Sequence, residues 1–203
     1  MHIPTCQTNQ LEILTFRDAR QTRDESAVYD RSKWIYVPDF YSEYRYILGT
    51  VGTRPLITIG INPSTAEPDH LDNTLKSVER VALHNGYDSF IMFNVYAQRA
   101  TNPDHMDAEL NLALHRENML AFRWVLEHAG TNPSIWAAWG TIVEKRHYLK
   151  DCLFDMVQEG NRFHASWFHA GSPSKKGHPH HPLYLKKDSP LQPFDMLAYL
   201  NRL

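Results

Sequence analysis

Cysteine is scarce in this sequence of 203 residues, which contains only Cys6 and Cys152. Two distant cysteines exclude a disulfide-dense scaffold and the closely spaced thiolates of a typical zinc motif. Long apolar runs are also missing, since none approaches the roughly 18 residues of a membrane span. The first residues carry no cationic segment followed by an apolar one, as a secretory signal would. We therefore expect a cytoplasmic protein without membrane association.

Net charge is small as well, at a formal −2 with histidine neutral, and hydrophobic residues make up 42% of the chain. This balance excludes a strongly basic protein that coats DNA, although a local basic patch is compatible with it. A chain of this length buries roughly 70% of its unfolded surface, so it needs no metal or disulfide to fold. We predict one monomeric domain over residues 41–203, with 1–40 as an N-terminal extension packed on it, and no cofactor.

Apolar segments with strand-like and helical periodicity alternate along the chain. The predicted strands are 11–16, 33–37, 41–48, 56–61, 89–94, 133–139 and 163–168. The predicted helices are 72–85, 107–129, 141–158 and 190–203. Such alternation implies right-handed β-α-β units. The predicted fold class is therefore α/β, with three α/β/α layers and a mostly parallel central sheet of about four core strands.

The turn Asn62-Pro63-Ser64-Thr65 follows the predicted strand 56–61 directly. In open parallel sheets, ligands bind beyond the carboxyl ends of the strands, so this turn is a candidate site. Asn62 could position a water or read the edge of a base, because its amide offers both donors and an acceptor. Ser64 and Thr65 could face a phosphate. A plain turn is the alternative, because Asn, Pro and Ser all favour turns.

Two further strand ends carry residues suited to a site. Asn94 ends an apolar strand, and a buried amide left unpaired there would cost roughly 1–3 kcal/mol. Its side chain therefore either reads a ligand or joins two loops. Trp139 and Gly140 end the strand 133–139. They either line a pocket, with glycine allowing close approach of the backbone, or belong to the core.

The loop 172–184 is unusually rich in polar side chains. They are Ser172, Ser174, Lys175, Lys176, His178, His180 and His181. The serines and lysines suit a phosphate backbone, and a histidine could stabilise a developing anion or act as an acid or base. We do not expect a metal here, because no cysteine or carboxylate lies nearby and adjacent histidines seldom reach one ion.

Several short blocks in one fixed order resemble a bacterial and phage family, domain of unknown function number sixteen forty-three. The blocks lie within residues 41–186 and are Tyr44-Arg45-Tyr46, Asn62-Pro63-Ser64-Thr65-Ala66, Asp72-Asn73-Thr74, Asn94, Arg99-Ala100-Thr101-Asn102-Pro103, Ala138-Trp139-Gly140, and Gly177 with His181-Pro182-Leu183-Tyr184. The resemblance implies no established activity.

The strand-end motifs also resemble, in order, those of the uracil-DNA glycosylase superfamily. They are Gly60-Ile61-Asn62-Pro63-Ser64, Phe90-Ile91-Met92-Phe93-Asn94, Ala137-Ala138-Trp139-Gly140 and the His-Pro pairs of the final loop. This resemblance implies a uracil-DNA-glycosylase-like fold that acts on a flipped-out or single-stranded pyrimidine. Asn94 would read the base and Tyr96 would stack on it. Asn62 would hold the attacking water, and His181 or His178 would stabilise the departing base.

Two departures from the superfamily pattern bear on catalysis. Ser64 stands where the most similar branch has glycine, and Asn62 stands where the strongest water activator is an aspartate. No clear leucine-rich intercalating motif follows the histidines, although Leu183-Tyr184-Leu185 could serve. An asparagine cannot take up a proton as a carboxylate can. The resemblance therefore implies a slow enzyme, or one whose substrate has a good leaving group.

Three hypotheses follow from the sequence. The first is a DNA N-glycosylase-like hydrolase acting on a pyrimidine, which could be a modified one. The second is a binding module that recognises a nucleotide or nucleic acid without cleaving it, an alternative that the net charge of −2 favours over tight binding to long DNA. The third is a metal-dependent hydrolase that uses the histidine cluster. Of His178 and His181, the family block favours His181, because that block ends His-Pro-Leu-Tyr.

Overall fold

Seven strands form one mixed sheet in the computed structural model, which describes all 203 residues. The strands are β1 (Trp34–Val37), β2 (Ile47–Thr50), β3 (Pro55–Gly60), β4 (Ser89–Asn94), β5 (Ser134–Ala137), β6 (Ser166–Ala170) and β7 (Leu191–Pro193). The helices are α1 (Phe16–Gln21), α2 (Asn73–His84), α3 (Leu112–His128), α4 (Tyr148–Arg162) and α5 (Met196–Leu200). The α/β class is confirmed, and no helix has the length and apolar character needed to cross a membrane.

Strand order across the sheet is β1-β2-β4-β3-β5-β6-β7. In the middle, β3 pairs in parallel with both β4 and β5, and β5 pairs in parallel with β6. On the two sides, β1, β2 and β7 are joined through antiparallel pairs. The sheet is therefore mixed and larger than the one predicted, because short antiparallel strands extend it at both edges.

Side chains of the central strands alternate between two hydrophobic cores. In β3, Ile57 and Ile59 belong to the larger core and Leu56 to the smaller one. This alternation is the two-residue period of a strand that is buried on both faces. The buried side chains of α2 lie in the smaller core, and those of α1, α3, α4 and α5 lie in the larger one. Helices therefore cover both faces, and α2 lies on the face opposite the other four.

Helix α2 has the position that its sequence predicts, with Asp72 as N-cap. The Asp72 carboxylate accepts a hydrogen bond from the backbone N–H of Leu75 at 2.9 Å. Helix α3 begins later than the predicted residue 107. The Asn111 side chain caps it, accepting from the N–H of Ala113 at 3.0 Å. Asp107 is instead buried and accepts hydrogen bonds from neighbouring loops.

Three sequence predictions of elements are wrong at the ends of the chain. The predicted strand 11–16 is irregular, and its last residue begins α1, which Thr15 caps through its side chain. The predicted helix 190–203 divides into β7 and the short α5, because Asp195 caps a new helix after the strand. The predicted strand 41–48 is displaced, because β2 starts at Ile47 and continues to Thr50, and Tyr44 forms an isolated bridge to Gln98.

The predicted helix 141–158 starts later, because residues 140–144 form a 3-10 turn before α4. Residues 1–40 contribute directly to the sheet, since β1 is its edge strand. The very start of the chain also lies beside the carboxyl ends of the strands. The backbone N–H of His2 donates to the Thr101 hydroxyl at 2.7 Å, and the N–H of Thr101 donates to the carbonyl of His2.

Candidate functional site

A cavity of about 530 Å³ lies where β3 and β4 end and α2 begins. Its lining residues are Met1, Arg45, Gly60, Ile61, Asn62, Pro63, Ser64, Thr65, Asp72, Asn73, Thr74, Leu75, Met92, Asn94, Ala100, Thr101, Pro103, Ile142, His181 and Leu183. This is the edge at which ligands bind in open α/β sheets. Asn62, Asn94 and His181, which the sequence analysis placed in three different segments, line this one cavity.

The Asn62 side chain is oriented by its amide nitrogen. Nδ2 donates to the carbonyl of Ala100 at 2.7 Å and to that of Pro63 at 3.1 Å. Both donors of the amide are thus engaged by backbone. Oδ1 makes no hydrogen bond within the chain, so it is the atom of this side chain that remains to accept a hydrogen bond from a water or a ligand.

The Asn94 side chain is the least satisfied polar group in the cavity wall. The residue is 1% exposed, and neither Nδ2 nor Oδ1 has a hydrogen-bond partner in the chain. Buried amides are nearly always paired, and an unpaired one costs about 1–3 kcal/mol. Gly60 packs against this amide, because a Cβ there would lie 3.2 Å from Asn94 Oδ1 and 2.6 Å from the end of the Met92 side chain. The arrangement suits a ligand that offers one donor and one acceptor.

His181 enters the cavity from the final loop. Its Nδ1 accepts a hydrogen bond from the backbone N–H of Leu183 at 3.3 Å, which places the proton of the neutral ring on Nε2. Burial lowers the pKa of His181, the neighbouring His180 lowers it further, and Asp72 opposes both. The ring is therefore neutral at pH 7 and donates through Nε2.

Pro63, Ser64 and Thr65 form one wall of the cavity. The Ser64 hydroxyl lies 3.0 Å from that of Thr101, which is itself hydrogen-bonded to the backbone of His2. The turn after β3 is therefore fixed to the start of the chain. Leu183 reaches the cavity wall, whereas the neighbouring Tyr184 is 80% exposed.

Two buried arginines lie beside this turn, and the sequence analysis assigned neither of them a role. Arg45 lines the cavity and is 1% exposed, and Arg99 is fully buried behind it. Nη1 of each donates to the carbonyl of Ala66, at 3.0 Å from Arg45 and 3.3 Å from Arg99. Their only sequence signal was membership of two family blocks, which identifies a family and no chemistry.

The charge of Arg45 is not balanced by a carboxylate. Neither Arg45 nor Arg99 has an acidic oxygen within 4.0 Å of its guanidinium nitrogens, and Nε of each is buried without a partner. Burial and the positive charge of Arg99 lower the pKa of Arg45 to about 9, so it remains charged at pH 7. Asp72 is the one carboxylate among the lining residues, and it already caps α2.

His178 lies away from the cavity, which corrects its assignment as a candidate for catalysis. It is 3% exposed, with Nδ1 2.8 Å from the Tyr199 hydroxyl and Nε2 3.4 Å from a Glu144 carboxylate oxygen. Trp139 Nε1 donates to the same hydroxyl at 2.9 Å. The Tyr199 hydroxyl thus joins Trp139 to His178 and ties α5 to the final loop.

Three of the predicted ligand contacts are structural instead. The Tyr96 hydroxyl donates to buried Asp107 at 2.6 Å, and its ring packs on Tyr148, so it is not available to stack on a base. Trp139 is fully buried in the larger core. Gly140 has a φ of +62°, and its Cα faces the His181 side chain, since a Cβ there would lie 3.5 Å from His181 Cβ.

The predicted phosphate clamp of the final loop also lies outside the cavity. Its residues are Ser172, Ser174, Lys175 and Lys176. Lys176 pairs with Glu144 at 2.8 Å, and the Ser174 hydroxyl accepts from the N–H of His178 at 3.1 Å. Ser174 and Lys176 therefore stabilise the loop that presents His181. No group of three or more His, Cys, Asp or Glu side chains is arranged to hold a metal ion.

Comparison with known proteins identifies the family of this chain but assigns it no activity. No curated protein and no solved structure matches the chain. One family model matches residues 45–183, a span that begins at Arg45 and ends at Leu183 and so covers nearly all of the cavity lining. Because this span is more than half of the sequence, the chain belongs to the family described as protein of unknown function DUF1643.

Proposed function

We propose that this protein is an N-glycosidase that binds a pyrimidine base in the cavity and hydrolyses its bond to the sugar, on a three-layer fold like that of uracil-DNA glycosylases. The observation that carries the proposal is the convergence of Asn62, Asn94 and His181 on one cavity. Each brings a different group to it, namely a free amide oxygen, an unpaired amide and a neutral imidazole N–H. The base would reach the cavity from a free nucleotide, from single-stranded DNA or after flipping from a duplex.

Asn94 supplies base recognition in this proposal. A keto pyrimidine offers an acceptor at O4 and a donor at N3 along one edge, which complements Nδ2 and Oδ1 of a single amide. No protein group competes for either atom. Binding of the base therefore satisfies a buried amide that is otherwise unpaired, and a base that lacks either group leaves part of that cost in place.

Asn62 and His181 supply the chemistry. The bond between the anomeric carbon and the base nitrogen breaks, and its electron pair leaves with the base through an oxocarbenium-like transition state. His181 Nε2–H donates a hydrogen bond to O2 of the base as negative charge develops. Asn62 Oδ1 orients the water whose oxygen bonds to the anomeric carbon, and the released water proton neutralises the departing base.

Direct assay of abasic-site formation tests this proposal. Duplex and single-stranded DNA containing uracil, a thymine mismatch or a modified pyrimidine is incubated with excess protein and then cleaved with alkali. We expect slow cleavage on at least one substrate. We expect a loss of about 100-fold or more in His181→Ala and Asn94→Ala, in line with the loss of one group that stabilises a developing charge or positions the substrate.

Matched controls separate the site from the fold. His84 and Asn161 are exposed and lie in the last turns of α2 and α4, so His84→Ala and Asn161→Ala should keep full activity. Absence of abasic sites on every substrate at high protein excess would contradict the N-glycosidase. Release of a base by His181→Ala at the unaltered rate would contradict the role of the imidazole.

The second candidate is a binding module that holds a nucleotide without cleaving it. The hydrogen bonds of Asn62 favour it. Both N–H groups of its amide are engaged by backbone carbonyls, and no free carboxylate is available as a general base. Thermal shift with nucleotides and short oligonucleotides distinguishes the two. Stabilisation that is equal in the unaltered protein and in Asn62→Ala, without any cleaved product, would favour the binding module.

A further inference from the structure

We infer that the cavity also holds a phosphate group, bound by Arg45 and the N-terminus of α2, so that its substrate is a nucleotide whose own phosphate enters the protein. The identity of the base rests on the proposed function. The phosphate rests on Arg45 and α2, which have no part in that proposal. The distinction matters because a base-only cavity would accept a nucleoside equally well.

Arg45 is a buried cation that no carboxylate contacts, and Asp72, the one carboxylate of the cavity, acts on it only from beyond 4.0 Å. Its guanidinium lines the cavity, yet Arg45 is only 1% exposed and Nε has no partner. Nη1 donates to the carbonyl of Ala66 at 3.0 Å, a neutral acceptor that does not balance the charge. A buried charge is ordinarily paired, and leaving one uncompensated is strongly unfavourable. An anion in the cavity would remove that cost.

Arg99 adds a second buried positive charge that no carboxylate contacts. Its Nη1 donates to the backbone carbonyls of Ser64 and Ala66, so two guanidiniums share the Ala66 oxygen. The remaining contacts of Arg99 are the Tyr36 hydroxyl at 2.8 Å and the face of the Tyr41 ring, at 4.3 Å from its centroid. None of these partners is a carboxylate. Two like charges therefore lie together, Arg45 in the wall of the cavity and Arg99 behind it.

Helix α2 contributes unpaired donors to the same cavity. Asn73 and Thr74 are its first residues and line the cavity. Their backbone N–H groups make no hydrogen bond within the chain, because Asp72 caps only the N–H of Leu75 through its side chain. A helix of 12 residues also presents the positive end of its dipole here. Phosphate is the common biological anion that accepts from a guanidinium and backbone N–H groups together.

The size of the cavity agrees with a nucleotide. Cavities of roughly 300–1,000 Å³ hold whole small-molecule ligands, and this one measures about 530 Å³. A base at Asn94 thus leaves room for a sugar and a phosphate. The phosphate could belong to a free mononucleotide or to a nucleotide in a single strand, and both would offer the same oxygens.

Binding of a matched ligand series to the unaltered protein tests the inference. Calorimetric titration compares thymidine, thymidine 5′-monophosphate, a short single-stranded oligothymidylate and inorganic phosphate. We expect the monophosphate to bind at least about tenfold more tightly than thymidine, as one charge-assisted hydrogen bond would produce. Inorganic phosphate should compete with it. Tight binding of the oligomer with weak binding of the monophosphate would identify a nucleotide in a strand as the source.

Substitutions of Arg45 test whether this residue binds the phosphate. Arg45→Met should abolish the difference between monophosphate and nucleoside, whereas Arg80→Met, on an exposed turn of α2, should keep it. Arg45→Lys keeps the charge and should retain part of it. If Arg45→Met does not fold, the ligand series alone decides. Equal affinity for nucleoside and monophosphate, or no binding of any phosphate-bearing ligand, would overturn the inference, whereas phosphate-dependent binding without hydrolysis would overturn only the N-glycosidase.

Discussion

At position 62, the surrounding backbone favours an amide side chain over a carboxylate. Asn62 Nδ2 donates to two carbonyls, those of Ala100 and Pro63. A carboxylate in the same place would direct a negatively charged oxygen at those carbonyls. An aspartate, which would activate a water more strongly, is therefore disfavoured in this turn.

We predict that Asn62→Asp destabilises the protein by about 1–3 kcal/mol at pH 7, because the carbonyls of Ala100 and Pro63 lose their donor, and that it does not accelerate hydrolysis. Chemical denaturation measures the change. The loss should shrink near pH 4, because a protonated carboxyl can donate again. Asn161→Asp, at an exposed position, is the control. A more stable or more active Asn62→Asp protein would contradict this account of the turn.

His181 gives the site a pH dependence of defined sign. Burial lowers its pKa in the folded protein below the value of 6.5 for an unperturbed histidine. Folding thus disfavours protonation, so the stability associated with a neutral His181 is fully present above pH 6.5 and is lost as the pH falls from 6.5 through the lower pKa of the folded protein. Protonation would also place a hydrogen on Nδ1, where the N–H of Leu183 now donates.

We expect the free energy of unfolding of the unaltered protein to fall relative to that of His181→Gln between pH 7.5 and pH 5. Urea denaturation at a series of pH values makes the comparison. His84→Gln, at an exposed position, should follow the unaltered protein throughout. A difference that is constant with pH would show that His181 titrates no differently in the two states.

At the scale of elements, two strand glycines serve different purposes. A Cβ at Gly49 in β2 would lie 2.3 Å from the backbone oxygen of Phe90, in the neighbouring β4. A Cβ at Gly60 in β3 would instead meet the end of the Met92 side chain at 2.6 Å and Asn94 Oδ1 at 3.2 Å. The first clash is with rigid backbone, whereas the second is with a side chain that can turn away and with the recognition amide.

We therefore predict that Gly49→Ala lowers stability by about 1–3 kcal/mol, the range for overpacking a well-packed site. Gly60→Ala should cost less stability and should weaken nucleotide binding by displacing Asn94. Thermal denaturation and calorimetric titration of both variants separate the effects. Unaltered nucleotide binding in a folded Gly60→Ala protein would mean that Asn94 does not face the base.

A substitution at the N-cap of α2 separates the stability of the protein from its affinity for phosphate. Asp72 accepts from Leu75 N–H and is the cavity's one carboxylate. Asp72→Asn keeps a good N-cap, so stability should change little, whereas removal of the negative charge should tighten phosphate binding by about threefold or more. Asp195→Asn is the matched control, because Asp195 caps α5 by the same bond. Weaker phosphate binding in Asp72→Asn would contradict a phosphate at this helix end.

Elements with strong local signals could be predicted, and those defined by partners far away in the chain could not. β3, β4 and α2 have apolar runs or stripes that end at turn and cap residues, and the sequence analysis placed each within one or two residues. β7 could not be predicted, because Leu191–Pro193 carries no strand pattern and exists through its pairing with β6. Arg45 was missed as a site residue for the same reason, since only the fold buries it beside Arg99.

At the scale of the molecule, the formal net charge is −2. The buried cations Arg45 and Arg99 are outnumbered by the buried acidic residues Asp39, Asp107, Glu117 and Glu159, so the surface carries no excess of positive charge. A surface of this kind does not attract a long polyanion, so we expect binding to depend weakly on salt. A plot of log association constant against log salt for a single-stranded oligonucleotide should have a slope of about −1, the value for one or two phosphates. A slope steeper than about −4 would indicate an extended phosphate-binding surface and contradict this expectation.

The edges of the sheet have a practical consequence for work on the whole family. The family span of residues 45–183 leaves out both β1 and β7, which cover β2 and β6. A fragment trimmed to that span would carry two open strand edges, each a template for pairing with another copy. It would also lose Tyr199, which holds His178 and Trp139 together. The family span is thus shorter than the folding unit, and expression trials should keep the start of the chain and α1 as well as β1, β7 and α5.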